Sequence, residues 1–195
     1  EISMKRRTVL AAAAIAFVTS ACSNMGGQSG GGDSGWTTLI DGEKGLENFT
    51  RIGGANWRAE GGAIVADKIT DTSYLMTKQS YRDFVIRAEF WGEASTNSGI
   101  FIRITTPPKI TATESYEVNI YDARAAGLDY GTGGIPNFAK VEPPYPKTAG
   151  QWNTYVITAK GPLITVELNG RQTSVVRDAK MLSGPFALQG GAHGK

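Results

Sequence analysis

"WNTYVITAKGPLITVELNG" (residues 152–170) decides the fold class. It reads as two strands joined at Gly161-Pro162. In the second strand Ile164, Val166 and Leu168 alternate with Thr165, Glu167 and Asn169. One set faces a core and the other faces outward, because strand side chains alternate with period 2. The same rhythm extends in both directions. "WRAEGGAIVA" (57–66) has two short runs around Gly61-Gly62, the signature of a hairpin. "DFVIRAEFW" (83–91) sets Ile86, Ala88 and Phe90 against Arg87, Glu89 and Trp91. "NSGIFIRI" (97–104) sets Ile100, Ile102 and Ile104 against Gly99, Phe101 and Arg103. "QTSVVR" (172–177) and "PFALQ" (185–189) add two more strands. No stretch of the domain carries a helical period. Many short strands separated by Gly/Pro turns predict an all-β sandwich. Segments 105–113 and 123–150 are irregular, and the second, long and rich in Gly and Pro, is a candidate binding loop.

"ESYEVNIYD" (114–122) places Glu117, Asn119 and Tyr121 on one face and Tyr116, Val118 and Ile120 on the other. If 84–91, 98–104 and 115–121 are neighbours in one sheet, about 4.8 Å apart, their outward faces form one surface. That surface would hold Arg87, Glu89, Trp91, Asn97, Phe101, Arg103, Glu117, Asn119 and Tyr121. Carboxylates, guanidiniums, amides and aromatic rings together suit a sugar. The ordinary alternative is the wet face that antiparallel sheets commonly present. Asp122, at a strand end, and Lys140, in the long loop, are further candidates beside the simpler roles of turn cap and solvated charge. His193 is the only histidine, so a metal cluster built on His is excluded and a Ser-His-Asp triad would depend on it alone.

The N-terminus explains the charge. Lys5, Arg6 and Arg7 precede an apolar run from Val9 to Val18, too short to span a bilayer comfortably. Thr19, Ser20 and Ala21 then lead to Cys22, the only cysteine. This resembles the lipobox of bacterial lipoproteins, with residues 1–21 as signal peptide, Cys22 as the lipidated residue and 22–35 as a Gly/Ser-rich tether. Arg6-Arg7 also resembles a twin-arginine signal. Removing 1–21 takes away three cations and Glu1, so the formal charge falls from +2 to 2 − 2 = 0. No net positive charge remains to argue for nucleic acid. The expected location is the cell envelope, anchored to a membrane through Cys22. With no cysteine beyond 22, residues 36–195 must fold without a disulfide.

The segments "GWTTLIDGEKGLENF" (35–49), "WRAEGGAIVA", "DFVIRAEFW", "NSGIFIR", "SYEVNIYD", "GQWNTYVITAKGPLITVELNG" and "GPFALQ" stand in an order and spacing that resemble a bacterial domain family. That family is associated with cleavage of 3-keto-glycosides (3-keto-disaccharide hydrolase, or 3-keto-glucoside 1,2-lyase/hydratase). The resemblance implies a concanavalin/laminin-G-like jelly-roll sandwich and an oxidised glycoside as substrate. The chain departs from the family pattern at Asn119, where Gln is frequent, and at "QGGAHGK", where Gln189 is normally followed by Asp-His-Gly. A 3-keto sugar has an acidified C2–H, so the chemistry needs a base, stabilisation of an enolate and an acid for the leaving group. The expected roles are Glu117 as base, Arg103 at the enolate, and Glu89 or His193 in proton transfer. Asn97, Asn119, Tyr121 and Gln189 hold hydroxyls, with Trp91, Asp122 and Lys140 as further contacts. No cofactor is required, while a divalent metal on carboxylates is compatible with the sequence. The rival readings are a conventional glycosidase using Glu89 and Glu117 and a sugar-binding module without turnover.

Overall fold

The computed structural model describes residues 35–67, 71–123 and 127–190, and the backbone of residues 13–20. Thirteen strands follow one another along these described residues. They are β1 (Ala13–Ser20), β2 (Thr37–Thr38), β3 (Phe49–Ile52), β4 (Asn56–Glu60), β5 (Ala63–Asp67), β6 (Ser73–Thr77) and β7 (Phe84–Trp91). Then come β8 (Ser98–Ile102), β9 (Tyr116–Ile120), β10 (Asn153–Lys160), β11 (Leu163–Leu168), β12 (Arg171–Arg177) and β13 (Ala187–Gly190). Only two short 3-10 turns, Leu46–Asn48 and Leu128–Tyr130, interrupt this pattern among the described residues.

The strands form two antiparallel sheets. One runs β12-β11-β10-β7-β1-β5-β4, with β2 attached to β1, and the other runs β3-β6-β13-β8-β9. This is the β-sandwich that the alternation predicts, in the jelly-roll form that the resemblance implies. The opening stretch folds as the hairpin β10–β11, with Tyr155 opposite Leu168 and Lys160 opposite Leu163. Gly61 and Gly62 both have positive φ and close the β4–β5 hairpin as the sequence indicates.

The core is what the two inner faces share. Ile86, Ala88 and Phe90 from β7 and Tyr155, Ile157 and Ala159 from β10 meet Ile100 and Ile102 from β8 and Tyr116 and Val118 from β9. Each aliphatic or aromatic side chain of this kind contributes about 1.5–3 kcal/mol when fully buried. Phe90 stacks on Tyr155 with ring centroids 4.8 Å apart. No disulfide is needed because one continuous apolar layer joins the sheets.

The topology corrects one expectation. β7 does not neighbour β8 and β9; it lies in the other sheet, between β10 and β1. Alternation along a single strand fixes which residues share a face but not which sheet holds that strand.

Residues 13–20 supply a second finding. They fall within the expected leader, and they form β1, with Ala14–Ser20 opposite Trp91–Val85 and Ala13–Ile15 opposite Ala66–Ile64. A central strand and the apolar stretch of a leader ask for the same composition, so the sequence serves both descriptions. Cys22 and the tether up to residue 34 lie outside the described residues.

Candidate functional site

The outer face of the five-stranded sheet is built from two rows. Register places Tyr74 opposite Gln189 and Gly99 opposite Asn119. Ala187 pairs with Phe101 and Leu188 with Ile100, so one further step sets Gln189 opposite Gly99. The first row therefore reads Ile52, Tyr74, Gln189, Gly99, Asn119. The second reads Thr50, Met76, Ala187, Phe101, Glu117.

This face is not a wet surface. Tyr74, Phe101, Ile104, Ile110 and Ala187 form their own apolar cluster there, with Ile52 and Met76 packed against it. Tyr74 and Phe101 meet edge to face, centroids 5.4 Å apart. Segment 105–113 thus has a structural role, because it brings Ile110 onto the sheet. Beyond the aromatic pair lie the polar groups. Glu117 is half-buried, while Asn119 and Gln189 are 3% and 9% exposed.

Gly99 makes the space between them. A Cβ there would sit 3.1 Å from the Val118 carbonyl oxygen and 3.2 Å from Cγ and Oε1 of Glu117. The Glu117 side chain therefore leans along the glycine, and a side chain at position 99 would have to push it aside. Burial, and secondarily the negative charge of Glu117, push the Tyr74 phenol up to about 12. The two residues share the outer face, with three strand steps separating their backbones. Tyr74 is a functional candidate that sequence reasoning missed. Its partner strand was unknown, and a tyrosine in "SYLMT" looks like any half-buried strand residue.

The long loop borders the site along β9. Asn119 Nδ2 donates to the Tyr130 carbonyl at 2.7 Å, and Tyr155 Oη donates to the Asn119 carbonyl at 2.6 Å. The Asn119 amide N–H donates to the Gly134 carbonyl, and the Gly133 N–H donates to the Asn119 carbonyl. Asp122 holds this loop rather than a substrate. Its carboxylate accepts from Thr132 Oγ1, from Thr148 N and Oγ1, and from the Ala149 N–H. Lys140 is paired with Asp129 at 3.0 Å and sits 5.8 Å from the centre of the Tyr130 ring. Both residues are thus engaged in ordering the loop. Asn97 and Tyr121 are half-buried and face one another one register step beyond Ser98 and Ile120, at the same end of the sheet as Asn119.

Four expected members are not part of this face. Arg103 follows the last residue of β8 with φ +54°, which breaks the alternation and turns its side chain inward. Fully buried, it donates to the carbonyls of Arg82, Gly161 and Met181 and lies 3.5 Å from Asp83. Burial lowers its pKa while Asp83 raises it. Arg103 is a clamp on three chain segments, not an enolate-binding group. Arg87, Glu89 and Trp91 project from the outer face of the opposite sheet, where Trp91 packs on Ala63 and Val65. His193 lies outside the described residues. Among the described residues, no three His, Cys, Asp or Glu side chains gather as a metal-ligand set.

A family model of the 3-keto-alpha-glucoside-1,2-lyase-like domain matches residues 35–195. The chain belongs to this family. Membership identifies it as a carbohydrate-active type of domain, in agreement with the resemblance of its strand motifs. A comparison with curated proteins finds no match. Several solved structures share the fold. A candidate glycosyl hydrolase from Parabacteroides distasonis ATCC 8503 is 24% identical with a TM-score of 0.62, covering 75% of this chain and 87% of that one. The carbohydrate binding module CBM66 from Bacillus subtilis is 17% identical, TM-score 0.56, covering 75% and 89%. A B. subtilis protein of unknown function with a galectin-like fold is 10% identical, TM-score 0.55, covering 74% and 83%. These likenesses establish the jelly-roll sandwich. Activity is a separate matter, which a shared fold does not decide.

Proposed function

We propose that this domain cleaves 3-keto-glycosides on the outer face of its five-stranded sheet, with Glu117 as the base. The observation that carries the proposal is the placement of Glu117 beside Gly99, between the carboxamides of Asn119 and Gln189 and the Phe101–Tyr74 pair, in a chain of this family. Glu117 takes the C2 proton, and the electron pair moves into the C3 carbonyl as an enolate. The enolate collapses, the C1–O bond breaks, and the leaving oxygen takes a proton. Water then adds at C1 of the unsaturated ketone and a proton returns to C2, so the sum is hydrolysis. Tyr74 is the proton donor on the far side of the patch. Its phenol is protonated at neutral pH, and the raised pKa makes it a weak acid that donates a hydrogen bond to developing negative charge.

One rival loses its basis. A conventional glycosidase using Glu89 and Glu117 needs carboxyl groups about 5–9.5 Å apart. Here the two residues project from opposite outer faces of a sandwich whose sheets pack about 10 Å apart. We further propose an exported lipoprotein anchored through Cys22. Removing the leader also removes β1, so in that form another strand has to satisfy the facing edges of β5 and β7.

The test is incubation with 3-keto and unoxidised forms of the same disaccharides, with and without chelator, followed by product analysis. Cleavage of the 3-keto forms alone is expected. Cleavage of unoxidised forms only, or binding without turnover, overturns the proposal.

A further inference from the structure

We infer that Asn169 is a latent self-modification site. The folded turn holds it against attack by its own backbone, and opening of the turn lets it deamidate to a carboxylate that cannot rebuild the contact it made. The inference is independent of the proposed chemistry. Asn169 is the only asparagine of the chain followed by glycine. Asparagine is thermolabile, and a following glycine puts no side chain in the way of the attacking nitrogen. Asn169 and Gly170 form the exposed two-residue connection between β11 and β12. Their φ values of +50° and +80° are the left-handed pair that a tight hairpin demands. A Cβ at Gly170 would meet nothing within 4 Å, so the turn stands open to water on that side.

Two hydrogen bonds hold the side-chain amide. Asn169 Oδ1 accepts from the Thr154 N–H at 2.8 Å, and Asn169 Nδ2 donates to Asn153 Oδ1 at 2.9 Å. Both partners lie across the ladder on β10, so the amide carbon is drawn toward β10 and away from the next peptide nitrogen of its own chain. Chemistry fixes the orientation of both amides. Asn153, which is buried, donates through Nδ2 to the carbonyls of Thr148 and Gln151 at 2.9 and 2.8 Å. Only an N–H can do that, so the Asn153 oxygen is the atom that faces Asn169.

When the turn opens, the Gly170 amide nitrogen attacks Cγ of Asn169. The N–Cγ bond forms, the Cγ–Nδ2 bond breaks, and ammonia leaves with the Gly170 amide proton. Water then opens the cyclic imide at either carbonyl, which leaves Asp or isoAsp at 169. Water is the only co-reactant. The product cannot close the turn as before. A carboxylate has no donor, so acceptor would face acceptor at Asn153 Oδ1. Turning the Asn153 amide over would restore that one contact and lose two, to Thr148 and Gln151. Those carbonyls belong to the segment whose Thr148 and Ala149 N–H groups donate to Asp122. A change at an exposed turn thereby reaches the anchor of the long loop.

The experiment incubates the full chain in mildly alkaline buffer, with and without guanidinium chloride, and follows residue 169 by peptide mapping and mass spectrometry. Conversion is expected to be at least about tenfold slower in the folded chain, because opening has to precede attack. Asn153→Ala removes one of the two holds and speeds conversion in buffer. Asn169→Asp installs the product and should speed amide hydrogen exchange at Thr148 and Ala149 several-fold. If Asn153→Ala fails to fold, the comparison with and without denaturant on the unaltered chain carries the test. Equal conversion of the folded and unfolded chains, or no conversion in denaturant, overturns the inference. Unchanged exchange at Thr148 and Ala149 in Asn169→Asp overturns it as well.

Discussion

Replacing Arg103 by Met separates a clamp from a catalytic group. Met is unbranched and fits the same tunnel, but donates nothing. The guanidinium holds the Arg82 carbonyl through Nη2 at 2.8 Å and Nε at 3.2 Å, and the Gly161 and Met181 carbonyls through Nη1 at 2.7 and 3.3 Å. Hydrogen bonds from a charged donor contribute about 1.5–3 kcal/mol each. They do not add fully here, because Arg82 and Gly161 lie where water can reach their carbonyls. A loss of about 3–5 kcal/mol is the reasonable total for a broken buried network. For a domain of this size that corresponds to roughly 6–20 °C in Tm. The assay is thermal unfolding by circular dichroism, paired with 3-keto-disaccharide turnover at a temperature where both proteins are folded. Tm should fall while kcat stays within a few-fold of the parent. An unchanged Tm with turnover abolished would refute the clamp and return Arg103 to the enolate.

Glu117→Gln should lower turnover by about 10²–10⁴, the range for a lost general base, with Tm nearly unchanged; normal turnover removes Glu117 from the mechanism. Gly99→Ala should weaken sugar binding because the new methyl sits 3.2 Å from Glu117 Oε1, and calorimetry against a neutral disaccharide reads it directly. Asp178 has its pKa lowered, first by the Tyr116 hydroxyl and then by the Lys180 N–H. Its contribution is therefore present above the ordinary carboxylate value of 3.8 and is lost as pH falls through the lower folded value. Asp178→Asn should flatten that acid limb in a stability–pH series, and an unaltered limb would contradict the assignment. A chain beginning at Cys22 lacks β1 and should show a lower Tm and more dye-accessible apolar surface than the full chain; identical unfolding would mean that the sheet closes without that strand.

The strands themselves were legible because each carries its own alternation: β10 and β11 could be read residue by residue, down to the turn at Gly161. Pairing was not legible. β7, β8 and β9 look like consecutive neighbours, yet β7 crosses to the other sheet, and with it go Glu89 and Trp91. Arg103 failed for a local reason, since one left-handed residue ends the period-2 rule that placed it beside Phe101. Glu117, Asn119 and Gln189 lie on the expected face because their strands stay regular up to them. Tyr74 became visible only through a register across four strands, which no single stretch of sequence encodes. The fate of Asp122 turned on distant partners, Thr132 and Thr148, brought back by a loop whose path the sequence does not announce.

The position of the Arg103 clamp bears on how this scaffold can change. Arg103 follows the last residue of β8, whereas Gly99 and Asn119 lie toward the opposite end of the β8–β9 pair. The fastening of the two sheets and the proposed ligand site thus lie at different ends of the same sandwich. Substitutions at the ligand end disturb few of the contacts that keep the sheets together, so the architecture tolerates altered specificity, or loss of turnover with binding retained, without a matching loss of shape. A mutational library confined to the outward positions 97, 117, 119, 121 and 189 should therefore yield mostly folded proteins, while one centred on 82, 103, 161 and 181 should not.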